Sequence, residues 1–81
     1  MAHKFSVTIQ DANDVKFAGE CELLVVPGAG GEMSIAAGHT RLMTPLRKGT
    51  VTVNTAADKA TEIEIDKGFL WVTKERVHVI L

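Results

Sequence analysis

The sequence predicts an all-β domain, a sandwich or a barrel, and three observations carry that expectation. Apolar residues recur with period two, not with the roughly 3.6-residue period of a helix. Glycine-bearing turn segments separate the alternating runs. The only alanine-rich window, Ala56, Ala57 and Ala60, is too short for a helix to be stable alone. The 81 residues make one domain, 46% apolar and 23% charged, the balance of a globular chain. Aromatics are only 5%, so Val, Ile, Leu, Met and Ala must supply most of the core.

The elements follow in order. Phe5, Val7 and Ile9 alternate with Lys4, Ser6, Thr8 and Gln10, the pattern of a half-buried strand. Asp11–Asp14 (Asp-Ala-Asn-Asp) supplies Asx-turn chemistry, and Gly19 marks a bend or bulge. Cys21, Leu23 and Val25 share one phase before the run turns wholly apolar at Leu24–Val26. Pro27-Gly28-Ala29-Gly30-Gly31 is the strongest breaker, and Gly38, Gly49 and Gly68 punctuate later joints. Pro45, among Leu42, Met43 and Leu46, reads as an edge strand or a bulge.

Val51 and Val53 form the next alternating run, and Thr55–Lys59 is the expected hairpin loop to Ile63 and Ile65. The glutamates around those isoleucines make the other face acidic. Phe69-Leu70-Trp71-Val72 fills both faces of a strand, so both should be covered. The cover is either the domain itself, with this as a central strand, or another protein on one face. Val77, Val79 and Leu81 close the chain, with His78 and Ile80 opposite.

Several kinds of chemistry are excluded. The glycine loop lacks the Lys and Ser or Thr of a phosphate cradle, and Glu32 would repel a phosphate. His3, His39 and His78 are too dispersed for a zinc site, and no cofactor is implied. Cys21 is the only cysteine; it falls in a strand phase as a small core residue, and a lone thiol points to an intracellular setting. The pairs Glu20, Glu22 and Glu62, Glu64 read as solvated strand faces, not acid/base pairs. A net charge of −1 argues against nucleic acid as a partner, and no apolar run approaches the ~20 residues of a membrane span. Charge is uneven nonetheless. Residues 11–32 carry five acids against Lys16, while 33–48 carry Arg41, Arg47 and Lys48 and no acid, an asymmetry able to orient a charged partner.

The segment from Val26 to Thr44 resembles the N-terminal domain of the epsilon subunit of F-type ATP synthases. That family shows Gly-Glu-x-Gly-Ile-x-Pro-Gly-His-x-Pro-Leu-x-Thr, matched here at Gly31, Glu32, Ile35, Gly38, His39, Leu42 and Thr44. Phe17 and Gly19 precede this segment as in the family. Leu46, Gly49, Gly68-Phe69-Leu70, Val72 and Val77–Leu81 follow in the family's order. Ser34, Ala37 and Arg41 depart from its glycine and two prolines.

The resemblance implies a two-sheet β-sandwich of about ten short strands. It implies a non-catalytic rotor subunit that links gamma to the membrane c-ring and couples proton or sodium translocation to ATP synthesis. The setting would be peripheral, on the cytoplasmic face of a bacterial plasma membrane. Gly31, Glu32, Ser34 and Ile35 would face the c-ring, and His39 and Arg41 would face gamma. Members usually continue into a C-terminal helical hairpin, and this sequence stops at Leu81. The expectation is therefore no helical domain, no self-inhibition and no ATP binding. The alternative reading is a free-standing sandwich that serves as a binding or adaptor module.

Overall fold

The computed structural model describes residues 3–38, 41–56, 59–74 and 76–81. Nine strands occur among them: β1 (Phe5–Gln10), β2 (Val15–Cys21), β3 (Leu23–Gly28), β4 (Gly31–Ala36), β5 (Leu42–Leu46), β6 (Gly49–Ala56), β7 (Lys59–Ile65), β8 (Gly68–Val72) and β9 (Arg76–Ile80). No helix is present among the described residues, as the period-two pattern requires. Nine described strands stand against the expected ten or so.

Hydrogen bonding runs β2-β1-β9-β8-β5-β3-β6-β7, with β4 on the free side of β3. Every pair is antiparallel except β1 with β9. The path folds into two layers at β3. Its first half pairs with β6 at Leu23–Val25, and its last residue pairs with β5 through Gly28↔Leu46 alone. Two bonds flank that corner: Arg47 N–H donates to the Pro27 carbonyl at 2.9 Å, and Ala29 N–H to the Pro45 carbonyl at 3.0 Å. One layer is thus β2-β1-β9-β8-β5 and the other β4-β3-β6-β7.

Inward residues of both layers form one core. Ile9, Cys21, Leu24, Val26, Val51, Val53, Leu70, Val77 and Val79 are wholly buried, and among the described residues no polar or charged one is buried with them. Alternation on β1, β6 and β9 falls as the sequence predicts.

Some local expectations need correction. The apolar phase does not run continuously from Cys21 to Val25: the chain bends at Glu22, whose N–H donates to the Asn54 carbonyl at 2.8 Å. That interruption shifts the phase by one, so Leu24 and Val26 turn inward and Leu23 and Val25 are only half-buried. Gly19 lies within β2 opposite Val7, and the irregularity in that ladder falls at Ile9/Gln10 instead. The glycine breaker is shorter than read: Pro27 and Gly28 finish β3, Gly31 starts β4, and the turn is Ala29-Gly30. The β6–β7 ladder reaches Ala56↔Lys59, so pairing extends into the segment expected to be loop.

Pro45 sits on a half-edge. Its carbonyl bonds Ala29 and so points away from β8, and in an extended strand the N–H side points the same way. The missing proline N–H therefore costs the β5–β8 ladder nothing.

Candidate partner-binding surfaces

The Asp11–Asp14 turn shows how local sequence sets the rim. Asn13 and Asp14 backbone N–H groups donate to Asp11 Oδ1 at 2.8 and 2.7 Å. These bonds, aided by the Lys16 ammonium at 3.6 Å, hold the Asp11 carboxyl below its usual value. Across the molecule, Thr50 donates its hydroxyl to Glu64 at 2.7 Å, a cross-strand pair on the acidic face of β6 and β7. Cys21 is buried, and desolvation pushes its thiol up to about 11, where it is a poor nucleophile at neutral pH. Among the described residues no three His, Cys, Asp or Glu side chains gather where they could hold a metal.

The residues singled out for the c-ring lie on β4, which pairs with β3 and carries no second neighbour among the described strands. Gly31 takes a positive φ of 137° just after the Ala29-Gly30 turn. Glu32 and Ser34 are exposed on the strand's outer side. Ile35 is different. It is only 4% exposed, paired with Leu24, and its side chain belongs to the core. Ile35 thus offers a partner little of its side chain beyond the part that lines a neighbouring hollow.

His39 lies outside the described residues. Arg41 is exposed immediately before β5. It borders a cavity of ≈ 470 Å³ that Ser34, Ile35, Leu42 and Val72 also line. The structure therefore brings Arg41 to Ser34 and Ile35, while Gly31 and Glu32 sit at the other end of β4, roughly 10 Å along the strand.

A surface that the sequence reading did not isolate lies on the outer side of β5, β8 and β9. Leu70 and Val72 point inward, leaving Phe69 at 36% and Trp71 at 43% exposure. Of the two covers expected for this strand, the domain itself supplies one face only, and the Phe69 and Trp71 face is open in the chain alone. Cross-strand register sets Met43 beside Trp71 and Trp71 beside His78, then Pro45 beside Phe69 and Phe69 beside Ile80. Met43 is 64% exposed and Ile80 43%. The Trp71 and His78 rings stack at 5.1 Å between centroids, 30° from coplanar. A second hollow of ≈ 510 Å³ runs beside them, lined by Arg41, Leu42, Met43, Trp71, Val72 and Thr73. Four consecutive apolar residues conceal which pair faces out; only the parity of Met43 and His78 across the ladder resolves it.

A two-layer sandwich with an exposed apolar face on one layer has the form of an interaction domain. Residues 4–81 match the family described as ATP synthase, Delta/Epsilon chain, beta-sandwich domain, and the chain belongs to that family. It is 36% identical over 81 residues to the ATP synthase epsilon chain of Herminiimonas arsenicoxydans, covering 99% of this chain and 58% of that one. It is 35% identical over 77 residues to the epsilon chain of Helicobacter pylori strain HPAG1, covering 95% and 60%. The chain thus spans a little under two thirds of the length of these relatives.

Solved structures share the fold. A chain of the Euglena gracilis mitochondrial ATP synthase OSCP/F1/c-ring assembly superposes with a TM-score of 0.87 at 20% identity, over 95% of this chain and 49% of that one. A chain of the Tetrahymena thermophila mitochondrial ATP synthase central stalk and c-ring gives 0.74 at 10% identity, over 99% and 66%.

Proposed function

We propose that this chain acts as a non-catalytic central-stalk component of an F-type ATP synthase. In this role it joins the gamma subunit to the membrane c-ring, so that proton- or sodium-driven rotation reaches the catalytic head. The match of residues 4–81 to the epsilon-type sandwich carries this reading. The names of the relatives and the c-ring assemblies of the two structural neighbours support it.

The physics suits the role. A part that passes torque must resist shear, and here two hydrogen-bonded layers close on one apolar core. Gly31, Glu32 and Ser34 on the β4 edge would meet the c-ring, and His39 and Arg41 would meet gamma. Such contacts need roughly 800 Å² per partner, with exposed charges such as Glu32 and Arg41 setting orientation more than affinity. The place of action would be peripheral, at the cytoplasmic face of a bacterial plasma membrane.

The test is reconstitution. Synthase stripped of its epsilon subunit should regain binding of the head to the c-ring, and ion-coupled ATP synthesis, when this chain is added. If the chain neither associates with gamma nor restores coupling, the rotor reading fails.

A further inference from the structure

We propose that the cavity between the end of β4 and the start of β5 binds a small amphipathic carboxylate, a single apolar chain ending in one carboxyl group. Arg41 and Ser34 hold the carboxylate, and the apolar walls hold the chain. Only the fold of this chain is needed, so the site stands apart from the rotor reading.

The walls set the apolar part. The cavity of ≈ 470 Å³ falls within the roughly 300–1,000 Å³ that small-molecule sites occupy. Ile35 and Val72 line it from the core, at 4% and 1% exposure, and Leu42 and Ala37 pack against that core as partly buried residues. Small residues keep the space open after β4. Gly38 turns there at a φ of 83°, and a Cβ added to it would meet nothing within 4 Å.

The polar groups are few and suit one kind of head. Among the described residues that line the cavity, Arg41 alone is charged. No acid occurs from residue 33 to residue 48, and the one ion pair among the described residues joins Lys16 to Asp11. Arg41 thus has no carboxylate partner among the described residues. Ser34 adds a hydroxyl, and the backbone groups of Ser34 and Ala36 lie on the open side of β4. A guanidinium takes a carboxylate through two parallel hydrogen bonds, and one cation balances one negative charge. A monoanion with an apolar chain therefore fits, whereas a dianionic phosphate would lack its second cation.

A separate observation points to the same place. Ser34, Ala37 and Arg41 are the three departures from the glycine and two prolines of the epsilon-type pattern, and all three line this cavity. Ala37 removes a proline ring, Ser34 brings a hydroxyl and Arg41 brings the cation.

The test titrates sodium octanoate into this chain and follows the backbone amides by two-dimensional NMR. The amides of Ser34, Ala37, Gly38 and Leu42 should shift together and saturate, while that of Glu62, on the acidic face of β7, should not. Butanoate should bind at least about tenfold more weakly, since each fully buried methylene is worth up to about fourfold. Octan-1-ol keeps the chain and lacks the charge, and it should also bind at least about tenfold more weakly. Arg41→Leu should weaken octanoate at least about tenfold and leave octan-1-ol within about twofold. Ala37→Leu should fill the cavity and weaken both. Should that variant lose its fold, Arg41→Leu carries the test, because Arg41 is exposed.

No saturable shift of these amides by about 10 mM octanoate overturns the proposal, as does saturation centred elsewhere on the chain. Equal affinity for octan-1-ol and octanoate would make the cavity a plain apolar hollow. Equal affinity for inorganic phosphate would make it a simple anion site. Either result also overturns the proposal, and both leave the rotor reading to its own reconstitution test.

Discussion

Trp71 and His78 lie directly opposite on β8 and β9 and stack their rings at 5.1 Å, the ring pair that organises the outer face of the larger layer. The indole's other neighbour in register is Met43 on β5, so it bridges three strands. His78→Ala should therefore loosen Trp71 without opening the core. A cross-strand pair of this kind contributes roughly 0.5–1 kcal/mol. Urea unfolding followed by fluorescence measures it directly, because Trp71 is the only tryptophan. Native emission should shift to the red. An unchanged spectrum would show that the stack does not set the indole's environment.

Gly28 and Gly30 lie two residues apart and should respond oppositely to alanine. A Cβ on Gly28 would stand 2.7 Å from the Gly31 carbonyl oxygen and 3.0 Å from Met33 Sδ, at the corner where β3 meets β5. Backbone cannot yield there as a side chain would, so Gly28→Ala should cost about 1–3 kcal/mol. A Cβ on Gly30 meets nothing within 4 Å, and Gly30→Ala should change stability by less than about 0.5 kcal/mol. Thermal melts of the two variants side by side decide the matter.

That contrast marks what local sequence can and cannot disclose. The Asx turn at Asp11, the Val51–Ile65 hairpin and the inward Val77 and Val79 were legible because each depends on residues near in sequence. The phase slip at Glu22 was not, since it depends on the Asn54 carbonyl more than thirty positions away. The parallel pairing of β1 with β9 joins the two ends of the chain, and no local pattern announces it. The candidate site divides in the same way. The exposure of Glu32 follows from strand alternation beside a turn. The burial of Ile35 and the outward aim of Phe69 and Trp71 depend on which layer each strand joins.

Cys21 gives a pH dependence with a fixed sign. Burial raises its thiol from 9.0 to about 11, against a smaller opposing hydrogen bond with the Leu23 backbone. The folded state therefore keeps the proton after the unfolded state has released it. Stability contributed by this group is whole below pH 9.0 and is lost as pH rises through about 11. Urea midpoints should fall across that window, and Cys21→Ala should make the fall shallower. A thiol reagent at about pH 8 should label the native chain slowly and the unfolded chain at once. Equal labelling rates would mean that the β2–β3 corner opens freely.

Glu32 separates assembly from folding. Its side chain is exposed on the β4 edge, one residue past Gly31, and its nearest register partner is the half-buried Pro27. A carboxylate so placed contributes little to stability. It also guards an edge strand whose backbone groups on the open side, at Glu32, Ser34 and Ala36, would otherwise invite pairing with another strand. Glu32→Ala should leave the urea midpoint unchanged and weaken association of the reconstituted head with the c-ring. Glu32→Gln should act in the same direction if charge is what the ring reads, and should behave as wild type if shape is. A loss of fold in the alanine variant would make Glu32 a structural residue. Intact assembly in both variants would move the ring contact elsewhere on the sandwich.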